Sequence, residues 1–257
     1  MRQQKLVTIN LGKVRYVYNS PTWDDLNEVC AENLKNWEPI SRKLFRKIAR
    51  KSKRIIDIGA YTGAYSIESS LSNVNAEVIA VEPNPVALKT LHQNIRENQL
   101  RNIEIWDFAV GSKENQLPLY STSDERGNSM TSLIKGNDLE QEILVSVLTL
   151  DSLLQNKSID LIKMDVEGFE NEVLLGARNV LKRDRPILLT EALTDINLKD
   201  QASILLSENY NFPIKIGDTR GDDRNYLWIP KEKFLMYVKM ICEINISRIV
   251  NYWRRYV

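Results

Sequence analysis

The sequence contains few of the residues that most often build metal or redox sites. Its 257 residues include two cysteines, Cys30 and Cys242, and one histidine, His92. The cysteines lie far apart and form no metal-binding or redox spacing, which is typical of a reducing compartment. His92 lies on the edge of the apolar stripe of a predicted helix, far from the glycine turn described below. We therefore expect neither a histidine base nor a bound metal.

An excess of charge of one sign and long apolar runs are also missing. Lysine and arginine number 35 and the acidic residues 34, so no global attraction to nucleic acid is expected. No signal peptide is recognised, and no uncharged run is long enough to span a membrane. These absences predict a cytoplasmic protein with no transmembrane segment and no nucleic-acid partner. The length suits one large α/β domain with small additions.

The rest of the chain is organised around a strand and a glycine turn at 54–63. The β-branched run at 55–58 predicts a strand buried on both faces. Gly59 ends this run, and from Gly63 onward apolar residues recur at helical spacing. In an open α/β sheet such a turn lies at the carboxyl end of the strand, where ligands bind.

The spacing of this turn differs from that of a dinucleotide site. Its pattern is Asp57-x-Gly59-x-x-x-Gly63, whereas a dinucleotide site uses Gly-x-Gly-x-x-Gly. N–H groups at the helix start can hold a carboxylate, and Asp57 suits an ammonium or a sulfonium. S-adenosylmethionine carries these groups together with a nucleoside. The alternative is an ordinary strand–helix turn, which also uses glycine.

A second strand at 76–82 ends in another acid, Glu82, before Pro83, Asn84 and a helix. Glu82 follows Asp57 at the βαβ separation that brings a carboxylate onto a ribose diol. The alternative is a solvent-facing strand end. A third strand is predicted at 102–110, and its polar–apolar end at 107–109 would face an adenine. Strands and helices alternate from 54 to about 207, which predicts a doubly wound, mostly parallel sheet.

The strand predicted at 159–166 carries charged residues along one face. Lys163, Asp165 and Glu167 stand at alternate positions and therefore share that face, and Glu191 ends the next strand. Because charges along a buried strand are costly unless paired or used, the three carboxylates are the candidate bases or hydroxyl-orienting groups. Lys163 is either their partner in the site or part of a structural ion pair. The polar segment 121–137 is interpreted as a substrate lid.

The two ends of the chain are predicted to add to this core. Residues 1–53 are interpreted as a hairpin at 6–18 and helices at 21–37 and 39–51. The basic face of the second helix is either solvated or attracts an anionic substrate. A C-terminal helix at 231–257 carries apolar residues from Leu235 to Trp253 at spacings of three and four. It docks on the domain, or contacts a second copy or a membrane surface.

The chain resembles the FkbM-type family of S-adenosylmethionine-dependent methyltransferases. The similar stretches are Ile56-Asp-Ile-Gly-Ala-Tyr-Thr-Gly63, Val81-Glu-Pro-Asn-Pro85, Ala109-Val-Gly111, Thr149-Leu-Asp-Ser152 and Ile162-Lys-Met-Asp-Val-Glu-Gly-Phe-Glu170. The resemblance implies a class I methyltransferase domain at 54–230, seven-stranded with an antiparallel last strand. It also implies methylation of a hydroxyl on a glycan or natural product.

The resemblance further implies a role for each motif. The turn 57–63 would hold the methionine part of the cofactor, Glu82 the ribose and 107–109 the adenine region, with Asp165 near the methyl. The implied cofactor-binding residues are Asp57, Gly59, Ala60, Tyr61, Thr62, Gly63, Glu82, Pro83, Asn84, Asp107, Phe108, Ala109 and Asp165.

Other functions leave different marks in the sequence. Methyltransferases acting on amines often carry Asn/Asp-Pro-Pro-Tyr/Phe after this strand, but Asp165-Val-Glu-Gly168 stands here. Methylation at C5 of a pyrimidine needs a cysteine, and neither cysteine is near the site. The glycine pattern disfavours an NAD-dependent oxidoreductase. An O-methyltransferase, a catalytically silent S-adenosylmethionine-binding module and an amine methyltransferase remain as alternatives.

Overall fold

The structure, a computed structural model, describes residues 7–12, 14–18, 36–121, 131–135, 141–217 and 224–244. The strands are β1 (Val7–Leu11), β2 (Val14–Tyr18), β3 (Arg54–Ile58), β4 (Glu77–Val81), β5 (Ile103–Trp106), β6 (Ala109–Val110), β7 (Asn115–Ser121), β8 (Thr131–Ser132), β9 (Gln141–Leu148), β10 (Leu161–Met164), β11 (Ile187–Glu191), β12 (Ile214–Lys215) and β13 (Asn225–Trp228). The helices are α1 (Pro39–Ala49), α2 (Ala64–Ser72), α3 (Pro85–Glu97), α4 (Leu150–Leu153), α5 (Glu170–Leu175), α6 (Arg178–Asp184), α7 (Asp195–Ser207) and α8 (Phe234–Ile244), with a short 3₁₀ helix at Lys231–Lys233. The predicted helix at 21–37 lies outside the described residues except at its end.

A seven-stranded sheet with the order β12-β13-β11-β10-β3-β4-β5 forms the centre of the molecule. Strands β11, β10, β3, β4 and β5 are parallel, and β13 pairs antiparallel with β11. Alternate residues of β3 enter different apolar clusters, Ile56 on one face of the sheet and Ile55 on the other. This burial on both faces explains the β-branched run. The structure confirms the predicted doubly wound sheet and its antiparallel last strand.

The predicted third strand at 102–110 is not continuous. β5 ends at Trp106, and β6 belongs to a second sheet with the order β6-β9-β7-β8, in which Ala109 pairs with Val147. Phe108 stacks on Trp106 with 5.5 Å between the ring centroids, at the point where the chain leaves the first sheet. The antiparallel pairing expected between 117–120 and 143–148 is confirmed.

The predicted N-terminal hairpin is present as β1 and β2, and it packs on the core. The Tyr16 hydroxyl donates to Glu68 of α2 at 2.8 Å. Arg42 of α1, only 1% exposed, donates through Nε to the same carboxylate at 3.0 Å, and Arg46 also pairs with it. These two arginines therefore form a buried ion pair with Glu68. They belong neither to a solvated basic face nor to a face that attracts an anionic substrate.

The C-terminal helix α8 docks on the sheet with a different face from the one expected. Phe234, Tyr237 and Ile241 pack on the core, whereas Leu235 of the predicted stripe is 86% exposed. The helix carries two adjacent apolar stripes, and the one that begins at Phe234 faces the core, so the expected stripe was wrong at Leu235. Residues 245–257 lie outside the described part. Among the helices of the described ranges, none combines the length and apolar character needed to cross a bilayer. The domain limits 1–53, 54–230 and 231–257 stay predictions.

Candidate active site

The glycine turn between β3 and α2 is fixed by its neighbours on both sides. The N–H groups of Gly59 and Ala60 both donate to the carbonyl oxygen of Val81 at 3.0 Å. Gly59 has φ +77°, and a Cβ there would overlap with the carbonyl oxygen of Asp165. Glycine is therefore required at 59 because the chain that follows β10 passes directly against it.

Glu82 connects this turn to the loop after β4. One oxygen accepts from the N–H of Tyr61 at 2.7 Å, and the other accepts from the N–H of Asn84 at 2.8 Å. Glu82 is 4% exposed, and burial raises the pKa of its carboxyl to about 7 although both N–H bonds act to lower it. Each carboxylate oxygen has a second lone pair, so Glu82 can still accept from a ribose hydroxyl.

Asp57 and Thr62 lie beneath the turn. Asp57 accepts from the Ser66 hydroxyl at 2.6 Å, and burial raises the pKa of its carboxyl to about 6. The side chain of Thr62 contacts the Tyr18 hydroxyl, so hairpin β1–β2 supports the turn from below. Both residues are at most 2% exposed. They shape the turn, and their contact with a cofactor stays a prediction.

The predicted cofactor residues at 83–84 follow β4, those at 107–108 follow β5, and Ala109 begins β6. Asn84, beside the half-buried Pro83, caps α3 by accepting from the N–H of Val86 at 2.9 Å. Asp107 is exposed and Phe108 is half-buried. Ala109 is buried in the apolar cluster of the second sheet. Asp107 and Phe108 are thus the accessible members of the predicted adenine region.

Asp165, Glu167 and Glu191, called the acidic cluster below, come together at the carboxyl ends of β10 and β11. Each offers an oxygen within 4.8 Å of the others. The expectation that Glu167 extends the strand face was wrong, because β10 ends at Met164. Glu167 instead has φ +52° and Gly168 φ +96°, and this left-handed turn brings the Glu167 carboxylate back to its neighbours.

The left-handed turn is held by specific hydrogen bonds. Glu170 Oε1 accepts from the N–H groups of Val166 at 3.0 Å and Gly168 at 3.4 Å. The Ser132 hydroxyl donates to the carbonyl oxygen of Glu167 at 3.0 Å. A left-handed glutamate costs about 1–3 kcal/mol, and such strain is concentrated at functional sites. Residues 131–135 of the predicted lid therefore contact the loop that carries Glu167, while 122–130 and 136–137 lie outside the described part.

The carboxyls of the acidic cluster differ in their affinity for protons. Burial, followed by repulsion from Asp165, raises the pKa of Glu167 to about 7 and that of Glu191 to about 9. Within the described residues, Glu191 Oε2 is buried without a hydrogen-bond partner. Near neutral pH Glu191 is therefore a proton donor, and it stands beside carboxyls that can accept a proton.

The acidic cluster has the oxygen chemistry that Mg²⁺ and Ca²⁺ prefer. Positive charge is already present, because the Lys163 ammonium donates to Asp165 Oδ2 at 3.2 Å. The absence of a resident metal stays a prediction. The expected pairing of Lys163 with a neighbouring carboxylate is confirmed.

Three buried residues beside Lys163 were missed by the sequence analysis. The Tyr65 hydroxyl donates to Glu38 Oε2 at 2.5 Å, and Lys163 Nζ donates to Asn225 Oδ1 at 3.4 Å. Lys163 Nζ also lies 5.1 Å from the centroid of the Tyr65 ring. The three come from the segment before α1, from α2 and from β13. The sequence signal at Glu38 was a polar residue just before Pro39, and that signal indicates only a helix start.

Comparisons with known proteins find methyltransferases. The methyltransferase FkbM domain matches residues 57–212. Methyltransferase sdnD of Sordaria araneosa is 28% identical over 153 residues, which cover 48% of this chain and 59% of that protein. Methyltransferase 1 of Beauveria bassiana is 24% identical over 142 residues, which cover 48% of this chain and 57% of that protein. The chain thus spans less than two thirds of the length of these relatives.

A crystal structure of an FkbM methyltransferase from Methylobacillus flagellatus has the same fold. Its TM-score is 0.53 at 22% identity, with 69% of this chain and 43% of that chain covered. The family match confirms the resemblance carried by the motifs and supports S-adenosylmethionine as the cofactor. The chain belongs to the FkbM methyltransferase domain family.

Proposed function

We propose that this protein is an S-adenosylmethionine-dependent methyltransferase that transfers a methyl group to a hydroxyl of a glycan or natural product. The observation that carries the proposal is the position of the acidic cluster. The backbone of Asp165 lies against Gly59, so the proton-accepting groups stand next to the turn assigned to the cofactor. A methyl donor and a hydroxyl placed between them would meet within one site.

The residues take complementary roles in this proposal. The turn 57–63 and Glu82 hold the methionine part and the ribose, and Asp107 and Phe108 flank the adenine. Bound S-adenosylmethionine supplies an electrophilic methyl group and a neutral thioether leaving group. Asp165 and Glu167 orient the acceptor hydroxyl and take its proton as the oxygen–methyl bond forms. Glu191 keeps its proton and donates a hydrogen bond to a second oxygen of the acceptor.

Turnover with a labelled methyl donor tests the proposal. The protein would be incubated with S-adenosylmethionine carrying a labelled methyl group and with panels of glycans, hydroxylated natural products and amines. Label on oxygen of an acceptor supports the proposal, and label on nitrogen alone contradicts it. Binding of the donor without transfer to any panel would favour the silent binding module.

Single-turnover transfer by Asp165→Asn and Glu167→Gln tests the assigned roles. Each variant keeps the size of the side chain and loses its charge, so we expect transfer to slow by about 10²-fold or more. Glu232→Gln, at an exposed ion pair outside the site, is the matched control and should retain the parent rate. If both site variants transfer methyl at the parent rate with native melting curves, the carboxylates are structural.

The cellular location and the partners belong to the same proposal. A cytoplasmic location and a small-molecule or glycan partner are expected for this activity. Leu235 and Met236 leave an exposed apolar face on α8, and its contact with a second copy or a membrane surface stays a prediction.

A further inference from the structure

An ammonium group is buried directly beneath the acidic cluster. Lys163 is 1% exposed, and a lysine in such a place is costly unless opposite charge surrounds it. The groups that face it come from every element packed around it. They are Asp165 just after β10, Asp57 of β3, Glu191 of β11, Asn225 of β13, Tyr65 of α2 and Glu38 ahead of α1. Glu167 and Glu170 face Asp165 from the loop that follows β10 and from α5.

Two members of this set, Glu38 and Asn225, lie outside the family match, which covers residues 57–212. Glu38 precedes the matched residues and enters from the N-terminal segment. Its backbone has φ +44°, its side chain is 3% exposed, and its carboxylate hydrogen-bonds to both Tyr65 and Asn225. A buried acid in a left-handed conformation with two polar partners is held at a defined place opposite Lys163.

Lys163 therefore places one positive charge among several carboxyls, and it donates a hydrogen bond to Asp165 at 3.2 Å. Burial alone would lower the pKa of the ammonium, but Asp165, Glu38 and Glu191 raise it above its ordinary value. Burial raises the pKa of the Glu38 carboxyl, and the charge of Lys163 opposes that increase. A negative charge on Glu38 therefore competes with the Asp165 carboxylate for the Lys163 ammonium. Both carboxylates attract the ammonium strongly, because little water screens the charges in this buried environment.

We propose that Lys163 and Glu38 are positioning residues, which hold the Asp165 carboxylate in place and balance its charge for proton acceptance during methyl transfer. This inference rests on the proposed function. It adds a residue from outside the matched domain to the site, and it assigns opposite effects to the two partners. When Glu38 loses its charge, the Lys163 ammonium stabilises the Asp165 carboxylate more strongly. When Lys163 is lost, the Asp165 carboxylate keeps its carboxyl neighbours and loses the ammonium that pairs with it.

The test compares Glu38→Gln with the double variant Lys163→Met/Glu38→Gln. The amide oxygen introduced by Glu38→Gln would still accept from the Tyr65 hydroxyl, and the double variant removes both buried charges so that neither is left unpaired. Carbon-13 NMR of labelled aspartate side chains follows the titration of Asp165, assigned with Asp165→Asn. The acidic limb of the pH profile of methyl transfer is measured on the same proteins.

We expect the Asp165 midpoint to move down in Glu38→Gln, by about half to one pH unit, and up in the double variant, by about one unit or more. The acidic limb of methyl transfer should move with it. The control Glu232→Gln should move neither. A purely structural role would change stability and leave the midpoint in place, and an unmoved midpoint in folded Glu38→Gln overturns the inference.

The two readouts separate this inference from the function on which it rests. The carboxyl titration needs no acceptor, so failure to find turnover counts against the proposed function alone. A midpoint that moves while the acidic limb stays fixed overturns the role of the pair in proton acceptance. If the double variant does not fold, the direction in which the Asp165 midpoint moves in Glu38→Gln is sufficient to test the inference.

Discussion

Replacing Glu191 with glutamine should remove a pH dependence from the stability of the protein. Burial, followed by Asp165, raises the pKa of the Glu191 carboxyl from 4.5 to about 9. In the unfolded chain this carboxyl loses its proton near its ordinary value, so between the two values the folded state binds more protons. The stability from this group is therefore fully present at pH values below the unfolded pKa and is lost as pH rises through the folded pKa.

The size of the effect follows from proton linkage. Each pH unit between the two pKa values costs about 1.4 kcal/mol of unfolding free energy for one group. Between about pH 6 and about pH 8 the parent should lose on the order of 1–3 kcal/mol through Glu191, with Glu167 adding to the loss below its own raised pKa. Glutamine has nearly the same shape and no proton to lose, so the variant should be more stable than the parent at the higher pH.

Urea unfolding of the cofactor-free protein, followed by tryptophan fluorescence, measures this free energy at each pH. The control is Glu232→Gln, because the Arg185 guanidinium holds the pKa of Glu232 below its usual range and this group stays ionised throughout. The unfolding free energy of this control should change with pH in the same way as that of the parent. If Glu191→Gln also runs parallel to the parent, Glu191 is ionised in the folded state and cannot donate a hydrogen bond to an acceptor.

Three further predictions concern the cofactor turn and the acidic cluster. Glu82→Ala should weaken S-adenosylmethionine binding by about 1–3 kcal/mol in calorimetry, and unchanged affinity in the folded variant would count against the ribose assignment. Gly59→Ala should lower the unfolding free energy by more than about 2 kcal/mol in urea titrations, because its Cβ overlaps with the Asp165 carbonyl. The control Gly12→Ala has the same sign of φ with open space around it, so an equal loss there would show that backbone strain alone is responsible. Dialysis against EDTA should leave methyl transfer unchanged, and restoration of lost activity by Mg²⁺ would identify the acidic cluster as a metal site.

The strands of the central sheet could be predicted because burial on both faces requires an apolar run that is visible in the sequence. The runs 55–58 and 187–190 are apolar at every position except one. The exceptions are Asp57 and Thr190, which make specific hydrogen bonds. Thr190 is one such case, since its hydroxyl donates to Gln201 at 2.6 Å. The break after Trp106 left no such signal, because apolar residues flank it on both sides, Ile105 and Trp106 before it and Ala109 and Val110 after it, and the two sides belong to different sheets.

The candidate site could be predicted where one short motif carries the residues. Gly59, Glu82 and Asp165 each follow a strand, and the carboxyl ends of parallel strands meet at one edge of a sheet. Glu167 was expected in the site, but for the wrong reason, because a left-handed turn and not the strand pleat brings it there.

The sequence by itself determined the alternation of strands and helices, the position of the glycine turn and the strand ends that carry acids. These features are local, since each depends on residues within one strand, turn or helix. Only the tertiary structure decided that Glu38, Tyr65 and Asn225 surround Lys163, and that Arg42 is buried against Glu68. Such contacts join segments far apart in the chain, and their charges become costly or useful only when packing removes water from around them.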